Sequence, residues 1–226
     1  MTADHSSHAL HCMDCGLQKL CFPPTFSSTA LDRVTEIIGQ PPVLPRHHVI
    51  YRNGDAPGAV YAVRSGSART SVLLPDGSEQ ITGFYFPGEV IGLENLGQDQ
   101  CVSTAVTLEK SALCVLPVQS ISNLSRQLPE LQSHLFQIMS TEIRADYQRM
   151  HLLASQGADA RVAGFLIGLA SRQARRRMAG DTLRLPMSRA ELGNHLGLAL
   201  ETVSRALGRM AESGLLEVSG KHLRLL

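Results

Sequence analysis

Three thiols stand close together near the start of the chain, where Cys12, Cys15 and Cys21 form a C-x2-C-x5-C pattern. Thiolates at such short spacings can wrap one face of a zinc ion or of an iron–sulfur cluster, and a cubane cluster needs a fourth ligand from elsewhere. Two further cysteines are available. Cys114 lies in the apolar run Ala112-Leu113-Cys114-Val115-Leu116-Pro117, where it also suits the part of a small buried hydrophobe. Cys101 stands at a loop or the start of a strand. His11 is an alternative ligand, although His5, His8 and His11 read first as surface residues. The N-terminus carries no basic and apolar leader, so the expected compartment is the cytoplasm, and the cysteines are expected to be free thiols or ligands rather than disulfides.

A second set of chemically able residues lies near the other end. Ser188-Arg189-Ala190-Glu191 has the Ser-x-x-Glu form of a capping box and predicts a helix running to Leu196. Gly197 permits a tight turn, a second helix follows from Leu200 to Ser213, and Gly214 ends it. Helix, glycine-containing turn and helix make a helix-turn-helix. At about 100° per residue, Val203, Leu207 and Met210 point into the domain, while Glu201, Ser204, Arg205 and Gly208 point outward. A forked cation suits guanine, a carboxylate accepts from the cytosine amino group, and a hydroxyl serves either kind of base edge. The apolar runs on either side of Ser219-Gly220-Lys221 read as a two-stranded wing.

Charge agrees with a polyanion partner for this end alone. Residues 1–160 hold 10 Lys/Arg against 15 Asp/Glu, net −5, whereas residues 161–226 hold 11 against 5, net +6. No stretch approaches the roughly 18 uninterrupted apolar residues of a membrane span. The phosphate loop G-x-x-x-x-G-K-[ST], the zinc motif H-E-x-x-H and the nucleophile elbow G-x-S-x-G are all missing, so an enzyme is not expected.

The elements that must position these residues are legible between the two sets. From about residue 44 to 118 short strand-like runs alternate with turn signals at Asn53-Gly54-Asp55, Ser65-Gly66, Pro75-Asp76-Gly77 and Pro87-Gly88-Glu89. Such spacing predicts a β-barrel or jelly roll. From 119 to 154 the period changes, and Leu131, Leu135, Met139, Ile143, Asp146, Met150 and Leu153 form one stripe of a long helix. A stripe this narrow suits a seam between two helices as well as a face laid on the barrel. Asp146 interrupts it, either facing its own copy across a two-fold seam or turning to water.

In these residues taken together, the chain resembles the CRP/FNR superfamily and within it the FNR type, the fumarate and nitrate reduction regulators. The resemblance runs from about His11 to Arg224. It is most specific in His11-Cys12-Met13-Asp14-Cys15, Tyr61-Ala62-Val63-Arg64-Ser65-Gly66, Glu79-Gln80-Ile81-Thr82-Gly83-Phe84, Gly193-Asn194-His195-Leu196-Gly197-Leu198 and Glu201-Thr202-Val203-Ser204-Arg205. It implies an α+β fold: a cysteine-rich segment (1–30), an N-terminal β jelly roll (31–118), a dimerisation helix (119–154) and a C-terminal winged helix-turn-helix (155–226).

The resemblance further implies a [4Fe-4S] cluster on Cys12, Cys15, Cys21 and Cys114, with Cys101 left free. It implies an acidic residue at the seam, here Asp146 between Ile143 and Met150, and base reading by Glu201, Ser204 and Arg205 at palindromes of the TTGAT…ATCAA type. A homodimer, contact with RNA polymerase and loss of the dimer in oxygen follow from the same likeness. Gly16 departs from it, replacing the Ser that usually follows the second cysteine. Cyclic nucleotide is not expected: Lys110 is the one cation between Arg69 and Arg126, and a buried phosphate needs a cationic partner. Other readings of the same residues are a structural zinc, or nitric oxide or another redox signal; nothing in the sequence makes a case for haem.

Overall fold

The computed structural model describes residues 11–155, 157–175 and 181–226. His5, His8 and the rest of residues 1–10 lie outside the described residues. The chain divides into two compact units: the first takes in the chain up to Ala68 together with Phe84–Met139, the second Arg69–Gly83 together with Ser140–Leu226.

The first unit is built on antiparallel strands. β2 (Ala59–Ser65) lies between β5 (Val90–Ile91) and β7 (Ala112–Pro117), while β1 (Val49–Tyr51) pairs with β6 (Thr104–Thr107). The register of β2 and β7 places Ala62 opposite Cys114 and Val63 opposite Leu113. Strand side chains alternate between faces. Tyr51, Val63, Ile91, Ala105 and Leu113 therefore meet in one apolar core, and Cys114 takes the other face of β7. The strand-like runs at residues 49–52, 59–64 and 111–118 predict β1, β2 and β7, whereas β5 and β6 fall outside the runs that the sequence offers. β5 has two residues, and β6 alternates Thr with small apolar groups, which leaves no hydrophobic run to detect.

Two helices precede the strands. α1 (Gln18–Cys21) is a single turn, and α2 (Ser28–Ile37) starts at Ser27, whose hydroxyl accepts from the Ala30 amide. The expected helix over 119–154 is in fact two: α3 (Val118–Ser125) and α4 (Pro129–Ser155). Proline at the first helical position lacks a donor that a helix start does not need, and it disfavours helical backbone at Leu128 before it, so the break falls there. The early part of the predicted stripe turns into the first unit. Leu131 is buried with Phe26, Leu31 and Val34, and Leu135 packs against the same cluster. Outward along α4 stand Phe136, Ile143, Tyr147 and Met150, each more than half exposed.

In the second unit, β3 (Ala68–Leu73) and β4 (Glu79–Tyr85) form a hairpin whose residues 69–83 belong with the C-terminal elements. α5 (Ala158–Arg175), α6 (Arg189–Leu196) and α7 (Leu200–Glu212) carry a core that includes Leu166, Leu169, Leu192, Leu196, Val203 and Leu207. β8 (Thr182–Arg184), β10 (His222–Leu225) and β9 (Leu216–Ser219) form a small antiparallel sheet in that order. Among the described residues no helix is long and apolar enough to cross a membrane.

Candidate metal centre and nucleic-acid interface

The cysteine-bearing segment is short and is held by its neighbours rather than by its own helices. Cys12 begins a single 3-10 turn, and its amide donates to Thr35 Oγ1 on α2 at 3.3 Å. His11 Nε2 lies 3.3 Å from Asp32 on the same helix. Leu20 rests over Gly88, where an added Cβ would meet the leucine at 3.1 Å. His134, on α4, places Nε2 at 2.6 Å from the Cys21 carbonyl oxygen.

These ties bring together four of the five thiols. Within the set Cys12, Cys15, Cys21 and Cys114, every pair is close enough for one thiolate to feel the charge of the other. All four are partly buried and none is in a disulfide. Burial, and then the neighbouring Cys15, Cys114 and Cys12, push the Cys21 thiol up to about 12. Burial raises Cys114 also, against the Arg64 guanidinium, which pulls it down. At Cys12 burial raises and the Thr35 hydrogen bond lowers, with the net shift upward. Cys12, Cys21 and Cys114, crowded and part-buried, resist ionising together unless a cationic group joins them, so binding such a group must release protons.

Cys101 stands apart. It is 4% exposed, in the core with Tyr51, Val63 and Leu113, and the charges acting on it are Asp55 and Glu94. Among the described residues no three His, Cys, Asp or Glu side chains lie tightly enough to hold a single metal ion. Thr35, Arg64 and His134 are the residues that sequence reasoning missed here. Arg64 sits inside one of the most specific motif stretches, but Thr35 and His134 carry no local signal because their role comes from tertiary placement.

The helix-turn-helix is equally explicit. Ser188 Oγ accepts from the Glu191 amide at 3.1 Å, and Glu191 Oε2 accepts from the Ser188 amide at 2.7 Å, a complete capping box. Gly197 has φ 63°, the left-handed conformation glycine favours. At Gly193 an added Cβ would stand 2.5 Å from the Leu198 carbonyl oxygen, so the turn closes only over glycine. On α7, Val203, Ala206, Leu207 and Met210 are buried, while Glu201, Ser204, Arg205 and Gly208 are exposed. The Arg205 Nε donates to the Glu201 carbonyl at 3.3 Å, laying its guanidinium along the exposed face. Arg209, from the same helix, pairs with Asp159 on α5 through both carboxylate oxygens.

Asp146 is exposed, and Arg149 one turn on donates to it at 2.7 Å. The same guanidinium donates to the Thr82 carbonyl. The carboxylate therefore has a partner within its own chain, a compensation that the bare stripe does not reveal. Ile143 and Met150, its predicted neighbours at the seam, are 53% and 63% exposed, while Phe136 and Tyr147 join them on the outward face.

A mainly β N-terminal domain, a long helix and a C-terminal helix-turn-helix with a wing are the parts of a transcription regulator. Residues 42–127 match the cyclic nucleotide-binding domain family, and residues 160–226 match the Crp-like helix-turn-helix domain. The chain is 43% identical to the transcriptional activator protein FnrA of Stutzerimonas stutzeri, over 96% of this chain and 88% of that one. It is 36% identical to the fumarate and nitrate reduction regulatory protein of Escherichia coli strain K12, over 96% and 87%. Among solved structures, FixK2 from Bradyrhizobium japonicum aligns with a TM-score of 0.75 at 29% identity, covering 84% of this chain and 92% of that one. The chain belongs to the CRP/FNR family of transcription regulators and is not an enzyme.

Proposed function

We propose that the chain is an oxygen-responsive regulator that holds a [4Fe-4S] cluster on Cys12, Cys15, Cys21 and Cys114, and that as a cytoplasmic homodimer it binds TTGAT-type palindromes when oxygen is low. The observation that carries the proposal is the convergence of those four thiols from two distant chain segments while Cys101 stays in the core. Bound there, the cluster would supply a redox-labile link, since oxygen attacks such groups. The chain's own residues do the rest. The four thiols tie residues 12–21 to β7, Arg64 offsets thiolate charge at Cys114, and Thr35 and His134 orient the segment's backbone.

The outward residues Phe136, Ile143, Tyr147 and Met150 recur at spacings of seven, four and three residues. That is the pattern of a helix that buries one stripe against a second copy. A dimer would present two α7 helices to two half-sites, with Glu201, Ser204 and Arg205 at the base edges and the wing near phosphates. Activation would further require contact with RNA polymerase. Cyclic nucleotide has no place in this proposal, because Lys110 is the one cation between Arg69 and Arg126.

Anaerobic purification followed by a visible spectrum and assays of iron and acid-labile sulfide, before and after air, tests the proposal. A brown protein with about four irons and four sulfides per chain, bleaching in air as dimer and DNA affinity fall, is the expected result. A colourless protein holding zinc would overturn the cluster and the signal while leaving the DNA interface intact. A brown protein stable in air would keep the cluster and move the signal to nitric oxide or another oxidant.

A further inference from the structure

We propose that His134 is a positioning residue that fixes the third thiol of the centre, Cys21, to α4. The inference rests on Cys21 being a ligand, as proposed above.

α1 is a single turn, and a helix this short does not hold its own shape in water. The place of Cys21 is therefore set from outside. Its carbonyl is among those at a helix end that lack a partner within the helix, and His134 Nε2 lies 2.6 Å from it. A carbonyl oxygen can only accept, so the imidazole donates from Nε2, which leaves Nδ1 to find a partner of its own.

That second nitrogen is the telling feature. Among the described residues, His134 Nδ1 is buried and has no hydrogen-bond partner. The ring lies beside Phe22, with centroids 5.9 Å apart, and edge-on to Phe26 at 5.7 Å. A buried polar atom without a partner weakens a fold. A phenyl ring in this aromatic pocket would avoid that penalty. Packing alone thus favours phenylalanine, and what histidine adds is the Nε2 donor to Cys21. The other polar ties of the segment, Cys12 to Thr35 and His11 to Asp32, run to α2. His134 connects it to α4, two residues before Phe136, where the outward apolar stripe begins.

The test uses the full-length, reduced, metal-free chain with His134 intact, changed to Phe and changed to Gln. The rate at which iodoacetamide alkylates Cys21 is followed by peptide mass spectrometry, alongside the thermal midpoint and anaerobic iron uptake. His134→Phe should alkylate about fivefold faster, the loss of one net hydrogen bond, with a thermal midpoint equal to or above the parent's. His134→Gln, whose side-chain amide can donate to the same carbonyl, should restore the slow rate. His134→Leu removes the donor with less bulk and serves equally if the phenyl ring disturbs folding. An unchanged Cys21 rate in both Phe and Leu variants, or no rescue by Gln, overturns the proposal. A parent chain that takes up no iron would sink the cluster reading instead, while the alkylation rates would still decide whether His134 holds Cys21.

Discussion

Cys101 and Cys114 are both free thiols of the first unit, yet their surroundings give them opposite parts. Cys114 lies on the face of β7 turned away from the core and feels three other thiols; Cys101 lies in the core itself. Cys114→Ser should therefore abolish anaerobic iron uptake. Cys101→Ser should leave it intact and cost on the order of 1 kcal/mol in stability, because a hydroxyl replaces a thiol among apolar side chains. Iron content and urea midpoints of the two variants decide this, and equal iron loss in both would count against the assignment. At the other end, Arg205 is exposed and contributes nothing to the domain core. Arg205→Ala should weaken specific binding to a TTGAT-type site by about 1–3 kcal/mol with an unchanged thermal midpoint. Retained affinity in a fluorescence-anisotropy titration would remove Arg205 from the base-reading set.

At the scale of elements, α4 shows how far periodicity carries and where it stops. The stripe read from spacing mixes two environments: Leu131 and Leu135 pack within the first unit, whereas Ile143 and Met150 face outward with Phe136 and Tyr147. Spacing alone gives a helical face but not the rotation or the neighbour that covers it, so Phe136 and Tyr147 escape notice. The break before Pro129 was available from proline chemistry but is outweighed when the apolar pattern is read as continuous. By contrast the capping box, the turn over Gly193 and Gly197, and the two faces of α7 are local and were fully legible. Asp146 falls between these cases: its position was legible and its partner Arg149 was not. Because Arg149 offsets part of its charge, Asp146→Ala should relieve a modest repulsion, raising the dimer fraction of the metal-free chain in air by severalfold. Light scattering across a concentration series measures this, and a variant that stays as monomeric as its parent would show that the carboxylate does not govern assembly.

At the scale of the whole molecule, the cysteine centre belongs to one unit and the reading helix to the other. The second unit carries a pH dependence of its own. His195, on α6, is 8% exposed and its Nδ1 donates to the Ile81 carbonyl at 3.1 Å. Burial holds its pKa down at about 4 against an ordinary 6.5; the Ile81 hydrogen bond opposes this, and Arg149 and Arg172 add to the depression. An unfolded chain therefore binds a proton here that the folded one refuses. The stability this group permits is complete above about pH 6.5 and is lost as the pH falls from there toward 4. Urea midpoints at pH 7 and pH 5 should differ more for the parent than for His195→Gln. An equal difference in the two proteins would assign the pH response to other groups.

The hairpin of β3 and β4 grips α6 through more than this one bond. Asn194 Oδ1 accepts from the Ile81 amide at 2.6 Å, its Nδ2 donates to the Glu79 carbonyl at 2.6 Å, and Gln80 Nε2 donates to the Asn194 carbonyl at 2.5 Å. Arg69 reaches both Glu79 and Glu191. The piece of this protein that holds these contacts together is consequently not the C-terminal stretch of sequence. It is residues 140–226 together with 69–83, a discontinuous cassette. A hybrid regulator spliced at the long helix alone would receive its reading head without the matching clasp, and a record of past recombination in such proteins should show the two segments travelling together.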